Sequence, residues 1–60
     1  MTKQQTLEEY KKIAKDLYAG KADIETATYY ARKAKNLEGC TQEELEAVDR
    51  EAFNEVHPRS

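Results

Sequence analysis

Apolar residues return every three to four positions along most of this chain, and three stretches carry the rhythm. In the first, Leu7, Tyr10, Ile13, Ala14, Leu17 and Tyr18 fall within an arc of about 140° at 100° per residue, the stripe of an amphipathic helix with one buried face. In the second, Ile24, Ala27, Tyr30, Ala31, Ala34 and Leu37 share an arc of about 140°. In the third, Leu45, Val48, Ala52 and Val56 make a narrower stripe, with Asp49 at its edge and Phe53 beyond it. The pattern predicts an all-α fold, a compact three-helix bundle with helices over 6–19, 23–38 and 41–57.

The residues between the stripes supply the starts and stops. Thr6-Leu7-Glu8-Glu9 reads as a capping box, in which the threonine hydroxyl and the third-position carboxylate each satisfy an orphan backbone donor. That start leaves residues 1–5 as a frayed lead. Gly20 ends the first helix because it turns left-handed at no steric cost. Asp23 caps the second, Glu25 adds negative charge near its start, and Arg32, Lys33 and Lys35 place positive charge at the other end, as the helix dipole favours. Gly39 terminates it. Thr41 and Glu44 form a further capping box, with Cys40 just ahead of the cap and placed to staple onto Leu45. Pro58 closes the third helix, and 58–60 are expected to fray.

Short glycine-containing turns join neighbours antiparallel. Three alanines in the middle stripe favour close helix approach, so 23–37 is expected to be the segment against which the others pack. The order Tyr10, Ile13, Ala14, Leu17 followed by Ala27, Ala31 and Ala34 resembles one helix pair of the tetratricopeptide type, a family whose members bind peptides and proteins. Two departures stop the resemblance short of membership. One inserted residue is needed to bring the halves into register, and Ala31 stands where the family has an aromatic side chain. A single pair also falls below the three repeats such arrays need.

Length changes the picture, because 60 residues form one domain that buries only about 60% of the surface its unfolded chain exposes. The large core candidates are Leu7, Ile13, Leu17, Ile24, Leu37, Leu45, Val48, Phe53 and Val56, which is thin filling. One cysteine allows no internal disulfide, so self-association to a homodimer becomes a real option for completing the core. No apolar run approaches the ~20 residues that cross a bilayer, and MTKQQTLEEY lacks the apolar core of a signal peptide. The expectation is a cytoplasmic protein with no membrane association.

Charge is divided along the chain. Residues 1–37 carry eight Lys/Arg against five Asp/Glu, and 38–60 carry seven acids against two arginines, giving +3 and −5. Oppositely charged helices attracting one another account for this, as does an acidic third helix that meets a basic partner.

Candidate chemistry is sparse. Asp49 lies at the core boundary, where a tyrosine hydroxyl or lysine from another helix accounts for it better than catalysis does. His57 has no convergent ligands, with Cys40 at the far end of the third helix, so no metal or cofactor is expected. Around Cys40, the carboxylates Glu38, Glu43 and Glu44 oppose a thiolate. No phosphate loop, nucleophile elbow or metalloprotease motif occurs, and the chain is not expected to be an enzyme.

A helix, tight turn and helix also outline a DNA-reading motif, but the second helix here reads TQEELEAVDREAFNEV, and its six acids repel phosphates. Basic faces on the first two helices (Lys11, Lys12, Lys15, Arg32, Lys33, Lys35) keep nucleic acid as the alternative partner. The first expectation is a small non-enzymatic protein-binding module or regulator acting through helix surfaces. Two surfaces qualify: Tyr29 with Arg32 and Lys33 on the back of the second helix, and Phe53 with Glu46, Asp49 and Arg50 on the third. Tyrosine and arginine are the residue types that most often anchor interfaces. A structural helical homo-oligomer is the remaining alternative.

Overall fold

The computed structural model describes residues 2–58, which form α1 (Lys3–Tyr18), α2 (Ile24–Leu37) and α3 (Gln42–Val56), with no strand among them. Met1 and residues 59–60 lie outside the described residues. The helices run up, down and up, so α1 and α3 are parallel: Lys3 meets Glu44 at one end, and the Tyr18 carbonyl meets His57 at the other.

The first helix starts one turn earlier than the Thr6 box implies. Thr2 is the cap: its hydroxyl accepts from the Gln5 N–H at 3.2 Å, and the Gln5 side chain accepts from the Thr2 N–H at 3.0 Å. Thr6 instead lies inside the helix, 8% exposed, its hydroxyl donating to the Thr2 carbonyl at 3.2 Å. Two consecutive S/T-x-x-E/Q boxes compete at this end, and the earlier one prevails because it leaves Thr6 free to face inward.

The other ends follow the sequence. Gly20 takes φ +79°, its N–H donates to the Leu17 carbonyl and the Lys21 N–H donates to the Asp16 carbonyl, a Schellman termination. Asp23 accepts from the Thr26 N–H at 2.9 Å, and Thr26, through its side chain first and this N–H second, holds the Asp23 carboxyl below the usual range. Gly39 at φ +70° turns the chain out of α2, and both bonds of the Thr41–Glu44 box are made.

The packing centre is α1, not α2. α1 contacts both other helices along its length, whereas α2 and α3 meet mainly where the turn joins them. There Ala34, Cys40 and Leu45 form the buried cluster, with Leu7, Tyr10 and Ala31 packed on it. Cys40 thus staples onto Leu45, as its position before the cap implies. The physical reason for the shift is side-chain reach. The α2 alanines permit a close approach to α1 along the helix but meet α3 only beside the turn, where Ala34 joins Cys40 and Leu45.

Three of the expected core residues are therefore outside. Ile24 is 70% exposed and Leu37 71%, both at the ends of α2, and Phe53 is 45% exposed. The buried set is Ala14, Ala27, Ala34, Cys40, Leu45 and Ala52, with Thr6; among the described residues no large side chain is fully enclosed.

Candidate functional site

Glu25, Tyr29, Lys33 and Leu37 are spaced by four along α2 and so form one ridge, on the side away from Ala27 and Ala34. All four are exposed. Tyr29 sets its ring edge-on to Tyr30, centroids 5.5 Å apart and planes at 90°, while the Lys33 ammonium stands 6.0 Å from the centre of the Tyr30 ring. Tyr30 is partly buried, which gives the outer aromatic a fixed neighbour instead of free rotation. Tyr29, Arg32 and Lys33 come together as the sequence implies, and Asn36 and Leu37 complete the shallow depression they line. Leu37 is the member that sequence reasoning assigned to the core. Its spacing of eight from Tyr29 was the available signal.

The second surface divides. Phe53 and Arg50 line a depression with Asn54 and His57. Phe53 packs edge-on against Tyr18 at 5.1 Å and 86°, and its ring lies 5.1 Å from that of His57. Asp49, in contrast, turns toward α1, where its Oδ2 accepts from the Tyr18 hydroxyl at 2.7 Å. That bond, with burial and the Asp49 charge behind it, pushes the Tyr18 hydroxyl up to about 12. Tyr10 is also raised, by burial first and Asp49 second. Glu46 turns along its own helix and accepts from the Gln42 amide at 3.4 Å. Asp49 thus has a structural partner, and the exposed part of this surface is Phe53 with Glu46 and Arg50.

No protein-family model, curated protein or solved structure matches this chain.

Much of the charge asymmetry is consumed between α1 and α3. Lys3 pairs with Glu44 at 2.7 Å, Lys11 with Glu55 and, at 3.6 Å, with Glu51, and Lys15 with Glu55 at 3.5 Å. These pairs hold the Glu44 and Glu55 carboxyls below their usual range, in each case first through the lysine bond, and raise Lys11 through its bond to Glu55. Such exposed pairs fix alignment more than they add stability. They also occupy three of the acids of α3 and three of the basic residues of α1.

Cys40 is 4% exposed, and burial, followed by Glu44, pushes its thiol up. Among the described residues no group of three His, Cys, Asp or Glu is placed to hold a metal ion, and no helix is long and apolar enough to cross a membrane.

Proposed function

We propose that this chain is a non-enzymatic protein-binding module whose contact surface is the outer ridge of α2, centred on Tyr29. One observation carries the reading: the interior is filled mainly by alanines while the large apolar side chains of the ridge, Tyr29 and Leu37, stand 62% and 71% exposed. A chain this short gains stability from every buried aliphatic group, so leaving them outside on one helix is the mark of surface awaiting a partner. Arg32 and Lys33 beside Tyr29 supply the anchor chemistry of protein interfaces.

The internal ion pairs weigh against the competing readings. An acidic third helix aimed at a basic partner loses Glu44, Glu51 and Glu55 to lysines of α1, and a phosphate-binding face on α1 loses Lys11 and Lys15 to the same pairs.

The test is affinity capture with the immobilised protein, comparing the wild type with Tyr29→Ala, Leu37→Ala and Phe53→Ala. A bound protein anchored on the ridge loses roughly tenfold or more in affinity on Tyr29→Ala, with far-UV helicity unchanged. Leu37→Ala weakens it in the same direction, and Phe53→Ala leaves it in place. Capture indifferent to both α2 substitutions refutes the reading.

A further inference from the structure

The α2 ridge has a charge order that matches its own reverse. Tyr29 is at the middle, Glu25 is four residues before it and Lys33 four after, all three on one exposed ridge. At 1.5 Å per residue the acid and the base each lie about 6 Å from the tyrosine along the axis, on opposite sides of its radial direction by about 40°. A two-fold axis through Tyr29 therefore brings Glu25 onto Lys33 of a second copy and Lys33 onto the copy's Glu25, while the two Tyr29 rings meet on the axis. Thr26 and Arg32, three residues to either side, are related by the same operation.

From this we infer that the partner of the ridge is a second copy of this chain, docked antiparallel along α2 in an isologous dimer with Tyr29 on the two-fold axis. The inference rests on the α2 ridge being a protein-binding surface and adds the identity of its occupant.

Three features of the structure bear on it. A two-fold interface must be self-complementary, and a helix acidic at one end and basic at the other meets that condition only when antiparallel to itself. Arg32, Lys33 and Leu37 are unencumbered by the α1–α3 pairs, which lie on other helices. The apolar group on the axis is already exposed, in Tyr29. One face of a 14-residue helix is about 21 Å long, below what a standard interface of about 800 Å² per partner needs. Association is accordingly weak, in the micromolar to millimolar range, and falls with salt because its ion pairs sit at the rim.

Sedimentation of the whole chain from about 10 µM to 1 mM at low salt tests this, using Glu25→Lys and Lys33→Glu singly, together and mixed. Each single swap sets like charges together twice and weakens dimerisation at least tenfold. Mixing the two variants restores both attractive pairs in a heterodimer, and the doubly swapped chain dimerises as the wild type does. Circular dichroism checks that both exposed-site variants retain their helices. A wild-type chain that stays monomeric to 1 mM overturns the inference, as does a dimer insensitive to the single swaps or a mixture that gives no heterodimer. The ridge reading fails separately. If the wild type is monomeric but Tyr29→Ala abolishes capture of another protein, the surface stands and the second copy does not. If capture is also unchanged, both fall.

Discussion

Tyr18→Phe removes one oxygen and little else, which makes it the cleanest probe of how α1 and α3 are held in register. The lost group donates to Asp49 at 2.7 Å, while the ring keeps its edge contact with Phe53. A hydrogen bond to a charged acceptor contributes about 1.5–3 kcal/mol, and partial solvent access to this one lowers the expectation to about 1–2 kcal/mol. Against a total stability of about 3–9 kcal/mol for a chain of this length, that is a large fraction. At the steep end of the size scaling, about 8 °C per kcal/mol, the melting temperature falls by about 8–16 °C.

The pH dependence gives a second signature. Tyr18 is neutral in both states below the ordinary tyrosine value near 10 and is pushed up to about 12 in the folded protein. Its contribution is therefore fully present below pH 10 and is lost as pH rises through about 12. Thermal melts by far-UV circular dichroism, with a double-mutant cycle to Asp49→Ala, supply the measurement. Wild type loses stability across this window more steeply than Tyr18→Phe, even though lysine deprotonation affects both. A coupling energy under about 0.5 kcal/mol, or parallel pH profiles, refutes the claim that this bond joins the helices.

Other predictions address the core and the thiol. Leu45→Ala, at a position 3% exposed, costs about 2–5 kcal/mol and brings the chain to the edge of unfolding, whereas Leu37→Ala, 71% exposed, stays within about 0.5 kcal/mol; urea titration separates them, and equal costs contradict the packing. Cys40 reacts with a thiol-specific alkylator far more slowly in the native protein than in urea, with a rate that rises only at a pH above that of the unfolded thiol, because burial and Glu44 oppose the thiolate. Equal native and unfolded rates mean the staple onto Leu45 is open.

What the sequence disclosed was local. Asp23, Gly20, Gly39 and the Thr41–Glu44 box act within a few residues of themselves, so their types alone specify the ends they make. The start of α1 escaped because residues 3–5 are polar and give no stripe with which to rank Thr2 against Thr6. The central helix escaped for a different reason. A stripe tells which face is apolar but not how many neighbours share it, and α1, with larger side chains over the same arc, packs along two helices where the alanines of α2 pack along one and touch the other only at the turn. Helix ends that overhang their neighbour, as at Ile24 and Leu37, have the periodicity of a core without its contacts. Of the candidate surface, residue type picked out Tyr29, Arg32 and Lys33, while Leu37 was hidden by that same periodicity and Asp49 was already matched to a tyrosine hydroxyl.

The parallel run of α1 and α3 has a mechanical consequence. The first residue of α1 and the last of α3 sit at opposite poles of a body 35 Å long. Tension applied between those poles slides the two helices past each other instead of peeling them apart. The Lys3–Glu44, Lys11–Glu55 and Tyr18–Asp49 links then bear load simultaneously, as rungs in shear, while α2 is a slack return strand.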